Sequence, residues 1–302
     1  MAIRTDLAVE ANEMLKDTGE GVRVKTEEEN GIKLTRLDIT NNTGAESLGK
    51  PVGRYVTIEC AEIKYSVELY EKTCRKIAEE IRGMARLKEN FKTLVVGLGN
   101  REITPDALGS EVVAKLMVTG HIKEYKNDLL SDEISAVYAI APGVLGTTGI
   151  ESAEIIEAIV KKVKPDLVIA IDALASRSLD RISTTFQLSD TGISPGSGVE
   201  NKRRALNRET LGVEVIAIGV PTVVDAATVA IESMDLGSES GYDEQKKEEL
   251  IRNMLAKDIA GLMVTPKDID LVIEKASKTI ANGINLALHQ NLTFEDIESY
   301  VG

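Results

Sequence analysis

Four nearly continuous apolar runs stand out along the middle of the chain. They are TLVVGLG (93–99), AVYAIAPG (136–143), DLVIAIDA (166–173) and VEVIAIGVPTV (213–223). Continuous rather than alternating apolar residues are typical of parallel strands that are covered on both faces. Residues 107–122 and 150–164, between the first three runs, carry apolar side chains at helical spacing. Strands that alternate with helices predict an α/β fold, built as a three-layer sandwich around a mostly parallel sheet.

The two ends of the chain show different patterns. Near the N-terminus, residues 32–40 and 53–61 alternate more strictly and predict antiparallel strands with one exposed face, added as an extra layer or as a subunit contact. A long helix is expected over residues 66–88. One or two helices are expected over residues 266–289, with Gly283 as a candidate break.

These patterns predict a single α/β domain over residues 1–302. Residues 1–62 form its N-terminal β-rich addition, residues 90–230 its core sheet and residues 243–302 its C-terminal helices. Residues 236–243, LGSESGYD, are predicted to be a flexible loop because glycine, serine and aspartate favour turns.

Composition narrows the functional classes. The 302 residues include 36 Lys and Arg against 49 Asp and Glu, for a formal net charge of −13. Direct nucleic-acid binding requires a basic surface that neutralises phosphates, so this balance argues against it. No run of about 18 apolar residues predicts a membrane span, and no signal peptide precedes the first strand. We therefore expect a cytoplasmic protein that contacts no membrane, in which Cys60 and Cys74 are ordinary buried thiols.

Two aspartates follow neighbouring strands of the predicted sheet. Asp106 lies in Thr104-Pro105-Asp106, which reads as a helix start with Thr104 as the N-cap. Asp172 ends the run VIAI, and it could equally be the N-cap of a helix that begins near Ala173. Because open α/β sheets place their ligand crevice at the carboxyl ends of the strands, both acids are expected to face one cleft.

Two carboxylates across a small gap suit amide hydrolysis in two ways. One carboxylate deprotonates a water molecule while the other, held protonated by its neighbour, gives a proton to the leaving amine. Alternatively, the two carboxylates hold a divalent metal ion that activates the water. The sequence pattern alone leaves both chemistries open.

The stretch APGVLGTTGIE (141–151) lies near the same edge. Thr148 and Glu151 have the spacing of a capping box, which by itself explains both side chains. Three glycines, Gly143, Gly146 and Gly149, would let a substrate backbone approach closely.

Other motifs are weak. The turn that begins at Gly97 lacks the third glycine of the dinucleotide fingerprint and carries Glu102 where a pyrophosphate would lie. The tripeptide Asp190-Thr191-Gly192 occurs in pepsin-type proteases, but those proteins are all-β. Neither His121 nor His289 has the spacing of a zinc site.

Taken together, long blocks of the sequence resemble the spore germination endopeptidases, which degrade small acid-soluble spore proteins. The blocks are IRTDLAVE (3–10), GLGNREITPDALG (97–109), APGVLGTTGIE (141–151), KPDLVIAIDALASR (164–177), SDTGISPGSGVENKR (189–203), TLGVEVIAIGVPTVVDAAT (210–228) and LMVTPKDID (262–270). The opening GLGN…TPD…G is also similar to that of the hydrogenase-maturation proteases, which implies their fold.

The resemblance implies an atypical aspartic-type endopeptidase whose catalytic pair maps onto Asp106 and Asp172. It further implies a homotetramer in the spore core, made as a zymogen, with small acid-soluble spore proteins as substrates and with no cofactor. The chain begins MAIRTDLAVE, so almost nothing precedes the block that follows the clipped segment in the family. The stretch after VVDAATVAIESMDLG is also shorter than expected for a relative.

We predict that Asn100, Gly146, Thr148 and Arg177 bind substrate. Arg177 is expected about one helical turn beyond Asp172, where it either pairs with an acidic substrate residue or forms a surface ion pair. No residue is assigned to a metal. Two alternatives remain: a metal-dependent maturation peptidase, and a non-enzymatic nucleotide-binding module on the same fold.

Overall fold

A computed structural model describes residues 5–15, 19–63, 65–85, 91–125, 134–194, 204–235 and 262–301. The predicted loop over residues 236–243 lies outside these residues, and the C-terminal helical region is described only from residue 262. Within the described residues, no helix is both long and apolar enough to cross a bilayer.

The described residues form nine strands and eleven α-helices. The strands are β1 (Val22–Glu29), β2 (Ile32–Ile39), β3 (Gly53–Glu59), β4 (Lys92–Gly97), β5 (Ala136–Ile140), β6 (Leu167–Ser176), β7 (Thr185–Ser189), β8 (Glu214–Asp225) and β9 (Met263–Val264). The helices are α1 (Ala8–Glu13), α2 (Asn42–Leu48), α3 (Val67–Met84), α4 (Leu108–Ala114), α5 (Gly120–Tyr125), α6 (Leu145–Thr148), α7 (Ser152–Val163), α8 (Arg208–Leu211), α9 (Ala226–Asp235), α10 (Ile269–Leu288) and α11 (Phe294–Val301). Two 3₁₀ turns cover Thr104–Asp106 and Leu179–Arg181.

All nine strands belong to one mixed sheet. Its order is β1-β2-β3-β7-β8-β6-β4-β5, and the short strand β9 pairs with β8. The pairs β4–β5, β4–β6 and β6–β8 are parallel, whereas the other five pairs are antiparallel. The α/β prediction is confirmed, but the prediction of a mostly parallel sheet is wrong. β7 enters antiparallel between β3 and β8, so β1–β3 continue the same sheet instead of forming an added layer.

Alternate residues of the central strands enter two separate apolar clusters. In β4, Leu94 and Val96 pack in one cluster and Val95 packs in the other, as the period of two in a strand requires. The Leu94 cluster contains Ile156 and Val160 of α7. The Val95 cluster is larger and joins the sheet to α3, α4 and α10. Both faces of the central strands are therefore buried, which explains their continuous apolar sequences.

Several helices differ from their predicted bounds. The expected helix over residues 107–122 is divided into α4 and α5, because the intervening chain bonds to other elements: the Met117 N–H donates to Asn285 Oδ1 at 3.1 Å, and the Thr119 N–H donates to the Val137 carbonyl at 3.1 Å. The long helix expected over residues 66–88 is confirmed as α3, whose N-cap Ser66 accepts a hydrogen bond from the Leu69 N–H.

The C-terminal pattern produces one long helix, α10, without a break at Gly283. A Cβ atom at this position would lie 2.6 Å from Ile77 Cγ2 and 3.2 Å from the Cys74 carbonyl oxygen. Gly283 therefore permits the close approach of α3 and α10 and does not end a helix.

Candidate active site

A cleft of about 830 Å³ opens at the carboxyl ends of β4, β6 and β8. Its wall includes both Asp106 and Asp172. Each side chain is partly buried, so each carboxylate is shielded on one side and open to the cleft on the other. This is the edge at which α/β sheets bind their ligands.

The glycine-rich turn after β4 determines where Asp106 lies. Gly99 has a φ of +98°, and a Cβ atom there would lie 2.0 Å from the Asp106 carbonyl oxygen. Gly97 is equally crowded, because its Cβ would lie 2.0 Å from the Gly109 carbonyl oxygen in α4. The two glycines therefore bring α4 and its preceding turn against the end of β4.

One hydrogen bond then orients the Asp106 side chain. The Asn100 N–H donates to Asp106 Oδ2 at 2.7 Å. The predicted role of Thr104 as a helix N-cap is wrong, because Thr104, Pro105 and Asp106 form a 3₁₀ turn and α4 begins only at Leu108. Asp106 thus precedes the helix and points from a tight turn.

Asp172 lies within β6 and not at its end. It is paired with Gly219 of β8, and its Oδ1 accepts a hydrogen bond from the Ala173 N–H at 3.0 Å. The alternative that a helix begins near Ala173 is wrong, since β6 continues to Ser176. The Leu174 side chain packs against Gly219 of β8, where a Cβ atom would lie only 2.5 Å from it.

Of the four predicted substrate-binding residues, Asn100 and Gly146 line the cleft, whereas Thr148 and Arg177 do not. Open space surrounds Gly146, because a Cβ atom there would meet nothing within 4 Å. Arg177 follows a strand, so the expectation that it lies one helical turn beyond Asp172 is wrong. Its N–H donates to the Glu10 carboxylate at 2.7 Å.

The predicted capping box between Thr148 and Glu151 does not form. Thr148 is the last residue of α6, and its Oγ1 donates to the Ile150 carbonyl at 2.9 Å. Glu151 is the N-cap of α7 but makes no side-chain cap bond. The left-handed Gly149, with a φ of +72°, turns the chain between the two helices.

The N-terminal segment forms a wall of the cleft, which the pattern of the sequence does not predict. Asp6 lines the cleft and pairs with the end of β6: its N–H donates to the Ala175 carbonyl at 3.0 Å, and its Oδ2 accepts from the Ala175 N–H at 2.9 Å. Lys50 Nζ donates to the Asp6 carbonyl at 2.9 Å, and Gln187 Oε1 accepts from the Ala8 N–H at 2.6 Å. The available sequence signal for this wall is the block IRTDLAVE (3–10), which belongs to the family resemblance.

A buried acid anchors the same segment. Glu10 is 2% exposed and accepts hydrogen bonds from Thr5 Oγ1 and from the N–H groups of Arg177 and Ser178. The guanidinium of Arg181 lies 3.2 Å from Glu10 and also contacts Glu13 and Glu59. This network fixes α1 against the chain that follows β6.

Tyr55 is a neutral polar group in the cleft wall. Burial raises the pKa of its hydroxyl to about 12, so the hydroxyl stays protonated at ordinary pH. It donates a hydrogen bond to the Pro51 carbonyl at 2.9 Å.

The histidines lie away from the cleft. His121 is exposed on α5, and His289 is fully buried at the C-terminal end of α10, where burial lowers its pKa to about 4. Among the residues that the structure describes, no group of three or more His, Cys, Asp or Glu side chains could hold a metal ion. The carboxylates of the cleft therefore lack a histidine to complete a metal site of the usual kind.

Comparison with known proteins identifies the family. The family model for the germination protease matches residues 2–237 and 236–301. The two matched segments meet directly after VVDAATVAIESMDLG, where the chain is expected to be shorter than its relatives.

Curated relatives align over nearly their whole length. The germination protease of Clostridium perfringens (strain ATCC 13124) is 48% identical over 322 residues, covering 99% of each chain. That of Caldanaerobacter subterraneus subsp. tengcongensis is 48% identical, covering 98% of this chain and 97% of its own. That of Bacillus velezensis is 39% identical, covering 99% and 96%. The chain therefore belongs to the germination protease family.

Proposed function

We propose that this chain is an endopeptidase that hydrolyses small acid-soluble spore proteins during germination, with Asp106 and Asp172 activating the attacking water. One observation carries the proposal: in a member of the germination protease family, the two aspartates line the same cleft at the carboxyl edge of the sheet. This makes the protein an atypical aspartic-type peptidase, because the fold is α/β and not the all-β fold of pepsin.

The proposed reaction needs only the two carboxylates and water. The ionised carboxylate takes a proton from the water, whose oxygen attacks the carbonyl carbon of the scissile amide. The protonated carboxylic acid of the other aspartate then gives its proton to the amide nitrogen, and the C–N bond breaks to leave an acid and an amine. The Asn100 N–H, bonded to Asp106 Oδ2, holds one carboxylate in a fixed orientation throughout.

The biological setting follows from the family resemblance and the charge. With a net charge of −13, the enzyme acts on spore proteins after they leave DNA and does not compete for phosphates. We further propose a homotetramer in the spore core that is made as a zymogen. Its layer arrangement resembles that of the hydrogenase-maturation proteases, which is supported by the two apolar clusters on either side of β4.

Two alternatives predict different behaviour. A metal-dependent maturation peptidase needs a third ligand beside the aspartates, and no described residue of the cleft wall is a histidine. Its activity would disappear with a chelator and return with metal. A non-enzymatic nucleotide-binding module would be stabilised by a nucleotide and would cleave no peptide.

The test is mass spectrometry of a purified small acid-soluble spore protein after incubation with this chain and with its Asp172→Asn variant, both in chelator. Discrete cuts by the parent and none by the variant are expected. Equal cutting by both would remove Asp172 from the mechanism. No cutting by the parent, with or without added metal, would contradict the proposed activity.

A further inference from the structure

Strand β8 carries a β-bulge near the residue that pairs with Asp172, in the wall of the same cleft. Leu174 of β6 is paired with Pro221, and the next residue, Ala175, is paired with Val223. Thr222 is therefore skipped by the ladder and opposes no residue of β6. Such bulges are over-represented next to active sites, where they redirect a side chain. Thr222 follows Gly219, the partner of Asp172, by three residues.

The backbone around the bulge is held in place. The Pro221 carbonyl accepts a hydrogen bond from the Ser183 N–H at 3.1 Å. The Thr222 carbonyl accepts one from Thr265 Oγ1 at 2.9 Å. Proline also fixes its own φ angle. These backbone hydrogen bonds fix the position of Thr222, so its hydroxyl is not needed to hold the bulge in place.

The hydroxyl of Thr222 has no hydrogen-bond partner among the described residues, although Thr222 is 0% exposed and belongs to the cleft wall. A buried hydroxyl without a partner costs stability, so each native example calls for an explanation. Thr93, Thr185 and Thr228 also have buried hydroxyls without a described partner, but none of them lines the cleft. Across the part of the chain that the structure describes, a bulge and an unpaired buried hydroxyl coincide only at Thr222.

We infer that Thr222 is a further substrate-binding residue, whose hydroxyl donates a hydrogen bond to a backbone carbonyl oxygen of the bound polypeptide. The inference rests on the proposed peptidase function and adds to it a residue that holds the polypeptide in the cleft. A hydroxyl suits this task because its hydrogen can rotate toward the acceptor.

A valine would serve the fold at least as well as threonine at this position. Valine has nearly the same shape, favours strands, and already occupies positions 220, 223 and 224 of β8. The strand therefore does not require a hydroxyl at position 222, whereas binding of a substrate carbonyl would.

The test compares Thr222→Val and Thr222→Ser with the matched control Thr185→Val, which removes a buried unpaired hydroxyl from β7 outside the cleft. Stability is measured by thermal unfolding, and cleavage of a small acid-soluble spore protein by kcat/KM. Binding of the same protein, fluorescently labelled, is measured on the Asp172→Asn chain with and without each substitution.

We expect Thr222→Val to unfold at or above the parent temperature, yet to bind about tenfold more weakly and to lose about tenfold to hundredfold in kcat/KM. Thr222→Ser and Thr185→Val should bind and cleave like the parent. Binding that weakens in Thr222→Val while no chain cleaves would support the role of Thr222 and contradict the proposed peptidase activity. Unchanged binding in Thr222→Val, equal losses in Thr185→Val, or no binding by the Asp172→Asn chain would overturn the inference.

Discussion

A Cβ atom at Gly99 would lie 2.0 Å from the carbonyl oxygen of Asp106. The glycine after β4 therefore serves to position an acid, and its backbone lies against Asp106 instead of cradling a phosphate. The φ of +98° at Gly99 adds a second reason for glycine, since side chains rarely adopt it.

Substitution of Gly99 by alanine should displace Asp106. We expect Gly99→Ala to lower the free energy of unfolding by about 1–3 kcal/mol, because backbone strain and steric crowding act together. We expect kcat/KM to fall by about tenfold or more. The matched control is Gly212→Ala, which also has a positive φ, +70°, but meets nothing within 4 Å. Equal activity losses in both variants, measured on spore-protein cleavage, would contradict a specific effect on Asp106.

Glu10 is expected to be the strongest single anchor of the N-terminal wall. Its carboxylate is buried and has four partners, so Glu10→Ala leaves the N–H groups of Arg177 and Ser178 without this acceptor. Arg181 loses one carboxylate but keeps Glu13 and Glu59. Chemical denaturation should show a loss of about 2–3 kcal/mol, because two buried N–H groups lose their acceptor.

The control for Glu10 is Glu157→Ala, which removes surface ion pairs with Lys161 and Arg204 and should change stability little. A loss in Glu10→Ala as small as that of the control would show that the buried network does not hold the segment.

His289 should make the fold sensitive to acid. Its pKa is lowered by burial from 6.5 to about 4, so between these values the unfolded chain binds a proton that the folded chain does not. Stability should therefore fall by up to about 3 kcal/mol as the pH drops from about 6.5 to about 4, and this share should not change further below pH 4.

Unfolding free energies across this pH range provide the measurement. The slope should become shallower in His289→Met, which has no titratable group, and should persist in His121→Gln, which alters an exposed side chain on α5. An identical slope in His289→Met and the parent would contradict the assignment.

Much of the fold was predictable where one pattern dominated. Continuous apolar runs predict the buried central strands. The N-cap Ser66 and the helical spacing of Cys74, Ile77 and Ile81 predict α3. The hydrophobic pattern does not predict β1, because Val22 is its only buried residue and its charged residues resemble those of a solvated loop. The turn Asn30-Gly31, typical of a hairpin, was the available signal. Strand β7 is short. Its antiparallel direction depends on pairing with β3 and β8, which the local sequence pattern does not show.

The site was predictable in position more than in detail. Asp106 follows β4 and Asp172 lies in the adjacent parallel strand β6, so topology alone brings them to one edge. The wall supplied by Asp6 and the bulge at Thr222 depend on pairing between distant segments, which the linear sequence does not show. The prediction for Arg177 depends on a helix after Asp172. Because β6 continues to Ser176, Arg177 lies outside the cleft wall.

The central claim is that Asp106 and Asp172 act as one unit on one water molecule. The most direct test is the single-turnover rate of spore-protein cleavage by Asp106→Asn, Asp172→Asn and the double variant, each first shown to be folded. We expect each single variant to lose about a thousandfold or more and the double variant to be no slower than the slower single, because a pair that acts together fails when either member is lost. A single variant that cleaves at the parent rate, or losses that multiply in the double variant, would contradict the account.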